Sequence, residues 1–197
     1  MPAIDDHNPP RIPPATECER RALAWIEPYS QAWHLVRTRD WLVHLDPQAP
    51  VEARLAAVTH DIERMFPNGP QQDKATGRWD DPHYLFAHAS RSAEVVGFWL
   101  QSQPDMREQI AVQEVQRLIT LHEFGGTGGA DLVQAADSLS FLETLPDLAR
   151  GWVINGQCGV GQARAKHLYM AERIRDPQAR RLAEPLLAQA LASLEDL

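Results

Sequence analysis

Cysteine and basic residues are scarce in this sequence. The two cysteines, Cys18 and Cys158, are far apart and neither belongs to a Cys-x-x-Cys pair, which excludes a zinc ribbon or redox motif of that kind. The formal net charge of −8 argues against a nucleic-acid-binding surface, because a phosphate backbone demands a basic face. A small anionic substrate stays compatible with this charge, because a site can be locally positive on an acidic protein.

Long apolar runs are missing as well. No segment approaches the roughly 20 apolar residues that cross a bilayer, so we expect no membrane partner. The first residues, MPAIDDHNPPRIPP, lack the basic start and the apolar stretch of a signal peptide. Two distant cysteines suit a reducing compartment. Together these features predict a cytoplasmic protein.

Strand patterns do not occur over any useful length, since apolar and polar residues nowhere alternate with a period of two. The chain instead shows helical spacing, which predicts an all-α fold. Residues 1–15 are rich in proline and predict a flexible arm. Residues 16–197 predict a single helical domain, in which Thr16 and Glu19 form a capping box at the start of the first helix.

Proline and glycine mark the ends of the predicted helices. The glycine-rich segment HEFGGTGGAD predicts a flexible connection between the helices that carry His122 and Asp137. The predicted helices cover about residues 16–27, 30–46, 49–66, 83–103, 106–124, 130–145, 160–175 and 177–197.

Histidines and aspartates recur on these helices at positions that face apolar surroundings. His60 lies opposite the apolar stripe of its helix, beside alanines that leave room for another group, while His122 and Asp137 lie on apolar stripes. A single buried histidine is more often a hydrogen-bonded core residue than a ligand. A buried carboxylate needs a strong partner, however, and a divalent metal held by several neutral imidazoles is one.

The order of these residues resembles that of the HD-domain superfamily of metal-dependent phosphohydrolases, over about residues 30–145. The resemblance implies an HD-type helical domain and one or two divalent ions (Fe, Mn, Zn, Co or Ni). Asp61 would be shared by both ions, and His88 and His122 would bind mainly the second. The implied metal ligands are His34, His60, Asp61, His88, His122 and Asp137.

The same resemblance implies a hydrolase acting on a small phosphorylated substrate such as a nucleotide. Asp61 would be both ligand and proton acceptor, and Glu63 is a second candidate acid or base.

Four cations are predicted to bind the anionic substrate. Arg37 and Arg91 each follow a proposed ligand by three residues, which favours the same side of the helix. Lys166 and Arg173 share one face of a C-terminal helix, for which a solvated surface row is the alternative interpretation.

Two other functions stay open. The same ligand set occurs in diiron oxygenases of this superfamily. Those similar to myo-inositol oxygenase carry glycine and lysine where this chain has Ile62-Glu63-Arg64, which ranks that function second. The other is a non-catalytic metal-binding sensor or scaffold, whose site would be closed to a substrate.

Overall fold

A computed structural model describes residues 8–197 of the chain, apart from the side chains of Pro104 and Arg107. These residues form helices and short 3-10 turns and contain no strand, so the predicted all-α class is confirmed. The helices are α1 (Glu17–Ile26), α2 (Ala32–Leu45), α3 (Val51–Thr59), α4 (Pro82–Gln101), α5 (Pro104–Arg107), α6 (Val112–Leu121), α7 (Gly128–Thr144), α8 (Pro146–Ile154), α9 (Val160–Glu172) and α10 (Pro177–Ala192).

Helix α7 lies at the centre and contacts α2, α3, α6, α8, α9 and α10. Residues 133–142 of this helix are all buried, so it is enclosed on every side. Small residues such as Ala135, Ala136 and Ser140 let the neighbouring helices approach closely. This packing places the carboxylate of Asp137 inside the core.

The segment before α1, part of the predicted flexible arm, makes several hydrogen bonds to α2. Residues 8–15 pack against α2, where Arg37 donates to the carbonyl of Pro9 at 2.9 Å and Arg39 donates to the carbonyls of Ile12 and Pro13. Proline prevents a helix here, but the free carbonyls of such a segment satisfy buried arginines. Residues 1–7 of the predicted arm lie outside the described residues.

Helix α1 begins as predicted. The backbone N–H of Glu19 donates to the Thr16 hydroxyl at 3.2 Å, and the Glu19 carboxylate accepts from the Thr16 N–H at 3.0 Å. The predicted capping box is therefore confirmed.

Two predicted helices are shorter than expected. The one predicted over 49–66 ends at Thr59 and continues as a 3-10 turn, Ile62–Met65, and the one predicted over 106–124 is divided into α5 and α6. Helix α8 was not predicted; its nine residues begin with Pro146, and proline is well tolerated in the first turn of a helix.

The connection between α6 and α7 depends on two glycines with left-handed backbone. Gly125 and Gly126 have φ of 65° and 94°, and the N–H of Gly126 donates to Asp131 Oδ1 at 2.8 Å. A Cβ atom on Gly125 would also collide with the side chains of Arg175 and Asp131. This tight reversal brings the end of α6 back against α7.

Both cysteines are free and buried. Within residues 8–197, no helix combines the length and the apolar character that a membrane span needs.

Candidate metal centre

The six predicted metal ligands lie together in the core. All six side chains are buried, and the most accessible, Asp61, is 8% exposed. They come from α2, from the turn after α3, from α4, from the end of α6 and from α7. The sequence separates His34 from Asp137 by about half the chain, so the fold alone brings them into contact.

Asp137 is the centre of a first group of ligand atoms. Its Oδ1 lies 3.1 Å from Nε2 of His34 and 3.3 Å from Nε2 of His60. Asp61 Oδ1 is 3.7 Å from the same nitrogen of His60. The ligand atoms of His34, His60 and Asp137 all lie within 4.8 Å of one another, a spacing that can hold one ion.

A second group adjoins the first on the other side of Asp61. Asp61 Oδ1 lies 2.7 Å from Nε2 of His88 and 3.8 Å from Nε2 of His122. Glu123, which the sequence analysis did not select, contributes Oε1 at 3.6 Å from the same nitrogen of His122. Asp61 is thus close to ligand atoms of both groups, as expected for a shared carboxylate.

All four imidazoles direct the same ring nitrogen, Nε2, into the cluster. Each directs Nδ1 to an acceptor outside the cluster, so Nε2 faces inward and is the nitrogen that could bind a metal once it carries no proton. Metal-bound histidines are usually oriented by such a hydrogen bond. For His34, His60, His88 and His122 in turn, the acceptors are Ser140 Oγ at 2.9 Å, Ala57 O at 2.9 Å, Glu63 Oε1 at 2.8 Å and Ile119 O at 2.6 Å.

Helix ends account for two of these orientations. His60 and His122 are the C-terminal capping residues of α3 and α6, where the last carbonyls can accept hydrogen bonds from side chains. Each ring uses Nδ1 to satisfy the carbonyl three residues earlier. Nε2 of both residues is buried without a hydrogen-bond partner among the described residues, so the donor set fits a metal ion better than a purely structural role.

The charges of the cluster favour cation binding. Burial works against ionisation of both aspartates, but nearby cations outweigh it. These are Arg64 and His88 for Asp61, and Arg173 and His60 for Asp137. They hold the pKa of each aspartate well below its usual range.

The two histidines with free Nε2 atoms differ in charge. Burial lowers the pKa of His122 to about 4, so the ring is neutral at pH 7, the form that binds metals. Burial opposes a proton on His60 too, but Asp137 and Asp61 raise its pKa to about 9. An ion bound there would displace that proton.

Two of the predicted phosphate-binding arginines do not reach the cluster. Arg37 donates to Glu143 at 3.0 Å and to Asp40 Oδ2 at 3.2 Å, so its guanidinium is bound to carboxylates outside the cluster. Arg91 donates to the carbonyls of Pro67 and Asn68 and thereby holds the loop after the 3-10 turn. The structure does not bring either guanidinium to the cluster, because a spacing of three residues does not fix where a long side chain ends.

Arg173 reaches the cluster by way of two carboxylates. Its two terminal nitrogens donate to Glu123 Oε2 and to Asp137 Oδ2, and its Nε donates to Ser138 Oγ at 2.8 Å. These bonds use three of its five N–H groups and position both carboxylates, and Arg173 is not among the residues that line the cavity over the cluster.

A cavity of about 340 Å³ lies over the cluster. Asp61, Glu123 and Asp137 line its inner part, and Lys166 lines it as predicted. Burial lowers the pKa of Lys166 to about 8. Further lining residues are Glu63, Arg64, Phe66, Asn68, Lys74, Tyr84, Phe141 and Trp152.

Arg64 is a second cation, besides Arg173, in direct contact with the proposed ligands. Its Nε lies 3.0 Å from Asp61 Oδ2, and one terminal nitrogen lies 3.4 Å from Nε2 of His88. The sequence analysis noted Arg64 only as a departure from related patterns. Its position three residues after Asp61, together with the turn that follows α3, was the signal that could have identified it.

Comparisons with known proteins give no match to this chain, whether with family models, curated proteins or solved structures. The resemblance to the HD-domain superfamily therefore stays a prediction from the order of the histidines and aspartates. The function has to be argued from the chemistry of the site.

Proposed function

We propose that this protein is a metal-dependent hydrolase of small phosphate esters, of the HD-domain type. The observation that supports this most strongly is the cluster of four imidazoles that direct Nε2 toward Asp61 and Asp137 beneath a cavity. Imidazole nitrogen and carboxylate oxygen together suit zinc, iron, manganese, cobalt or nickel. One ion would take His34, His60, Asp61 and Asp137, and a second would take His88 and His122 with Asp61 shared.

The chemistry requires an activated water and neutralised phosphoryl oxygens, both of which a bound divalent ion supplies. Asp61 lies beside ligand atoms of both groups and would be both ligand and acceptor of the proton of the attacking water. Glu63 accepts the hydrogen bond of His88 Nδ1, so we assign it the role of orienting that imidazole.

Three cations that line the cavity would bind the phosphate. Arg64 can direct its planar guanidinium to phosphate oxygens, and Lys166 adds charge from α9. Lys74 lies at the rim with its Nζ 5.4 Å from the ring of Trp152. Four carboxylates also line the cavity, so the site would become locally positive, as an anionic substrate requires, only once divalent ions are bound beside these cations.

The cavity also argues against a metal-binding scaffold. Small-molecule sites measure roughly 300–1,000 Å³, and this one falls in that range with exposed residues such as Phe66 and Asn68 among its lining. A scaffold that used the ion only for stability would have no need of a cavity with three cations.

An oxygenase is the second candidate, because two adjacent groups of imidazoles share the carboxylate of Asp61. The two candidates consume different reactants. Protein purified without chelators should be analysed for metals and assayed with a panel of phosphate esters and phosphonates, with phosphate release and oxygen uptake recorded together.

We expect phosphate release from an ester without oxygen uptake. Asp137→Asn should abolish it, while Asp131→Asn on the same helix should not, because Asp131 contacts Arg175 and the turn at Gly126 instead of the cluster. Oxygen uptake coupled to product formation would favour the oxygenase.

A further inference from the structure

We infer that Glu123 is a ligand of the second metal ion and is the counterpart, in the second group, of Asp137 in the first. This inference rests on the proposed metal-dependent function and adds a residue that the order of histidines and aspartates does not indicate.

The position of the Glu123 carboxylate is the first argument. Its Oε1 lies 3.6 Å from Nε2 of His122, and the ligand atoms of His88, His122 and Glu123 lie within 4.8 Å of one another. All three residues are buried, and Nε2 of His122 has no hydrogen-bond partner among the described residues. A buried nitrogen lone pair and a buried carboxylate oxygen thus face the same space without a hydrogen bond between them.

Arg173 supplies the second argument, because it treats Glu123 and Asp137 alike. It donates one terminal nitrogen to Glu123 Oε2 and the other to Asp137 Oδ2. The remaining oxygen of each carboxylate is then the one directed to imidazole nitrogens: His34 and His60 for Asp137, and His122 for Glu123. Ligating carboxylates are commonly hydrogen-bonded on their outer oxygen in this way.

The composition of the two groups is the third argument. Each contains two imidazoles and one carboxylate of its own, and Asp61 Oδ1 lies beside both. Without Glu123 the second ion would have only the shared carboxylate of Asp61 to balance its charge.

The test is the number of ions that the chain binds. Protein freed of metal should be titrated calorimetrically with Co²⁺, and the bound cobalt counted after gel filtration. We expect two equivalents in the wild type. In Glu123→Gln we expect the second ion to be lost or its Kd to rise at least about tenfold, with the first ion retained. Co²⁺ binding by Glu123→Gln with both wild-type affinities, or a single equivalent in the wild type, would overturn the inference.

Glu143→Gln is a matched control. Glu143 is a partly buried glutamate that also pairs with an arginine, Arg37, but it lies outside both ligand groups. The Glu143→Gln variant should bind two equivalents of Co²⁺ with the affinities of the wild type. If Glu123 were only the counterion of Arg173, both variants would lose thermal stability in chelator and both would keep two ions.

Glu123→Asp covers the case in which Glu123→Gln does not fold. Aspartate keeps the negative charge opposite Arg173, but its shorter side chain withdraws the oxygen from His122. The second ion should therefore bind more weakly to this variant than to the wild type. Unchanged affinity in this variant would refute the ligand role. The readout is independent of the reaction: two ions bound without any phosphate release would leave the Glu123 inference standing while the proposed hydrolase fails.

Discussion

His167 on α9 offers a sharp test of how the C-terminal helices pack. The residue is fully buried, and neither ring nitrogen has a hydrogen-bond partner among the described residues. Its ring lies against Phe141 of α7, with 5.8 Å between the ring centroids. Burial, with a smaller contribution from the charge of Lys166, lowers the pKa of His167 from 6.5 to about 4.

The direction of this shift sets the pH dependence of stability. Because the pKa is lower in the folded state, the unfolded chain takes up a proton first as the pH falls, and the fold loses stability between about pH 6.5 and about pH 4. Applied to these two pKa values, linkage gives a loss of about 2 kcal/mol between pH 7 and pH 5. In a domain of this size that corresponds to a decrease of roughly 4–8 °C in Tm.

His167→Leu removes the titrating group and retains apolar volume. The free energy of unfolding should be measured by urea denaturation at pH 7 and at pH 5, in chelator so that metal binding does not contribute. The loss between the two pH values should be about 2 kcal/mol smaller in this variant than in the wild type. His83→Leu, at an exposed position, is the control and should keep the wild-type dependence.

An identical loss in wild type and His167→Leu would refute the reasoning. It would mean that the imidazole is not held neutral between α9 and α7. The same helix carries Lys166 to the cavity and ends at Arg173, which bonds both carboxylates. The same result would therefore contradict the roles proposed for Lys166 and Arg173.

Four further predictions concern the site and its surroundings. Asp61→Ala should abolish metal binding and hydrolysis, since Asp61 is the carboxylate common to both groups; full metal content in this variant, measured by atomic emission, would remove the proposal. His88→Ala should lower the metal content from two ions to one, which the same measurement checks. Arg64→Ala and Lys166→Ala should each raise KM about tenfold or more without lowering metal content, because a charge-assisted phosphate contact contributes roughly 1.5–3 kcal/mol. Arg37→Ala should leave KM unchanged and lower the Tm, since this arginine pairs with Glu143 and Asp40.

The fold class could be predicted from the sequence because helical periodicity is a local property. The capping box at Thr16 is local too and is present in the structure. The ends of α3 and α6 were missed for a physical reason. His60 and His122 cap these helices with side-chain bonds to carbonyls, and no breaking residue marks either position.

The proposed ligands were recognisable because buried histidines and aspartates on successive helices are unusual. The cations were harder to predict. Arg37 follows His34 by one turn, but Glu143 of α7 and Asp40 draw it away, and a single helix holds no information about those neighbours. Glu123 was missed because helical spacing points neighbouring residues in different directions. Glu123 follows His122 directly, and only the turn at the end of α6 brings both side chains to the same space.

The central claim, metal-dependent hydrolysis of a phosphate ester at this cluster, is tested most directly by one measurement. The initial rate of phosphate release from the best ester of the panel is recorded for the purified protein, after removal of metal by a chelator, and after Mn²⁺ is added back. We predict that the rate falls to background on chelation and recovers with Mn²⁺ in the wild type, and that it stays at background in Asp61→Ala. A rate that survives complete removal of metal, or that recovers equally in Asp61→Ala, would contradict the account.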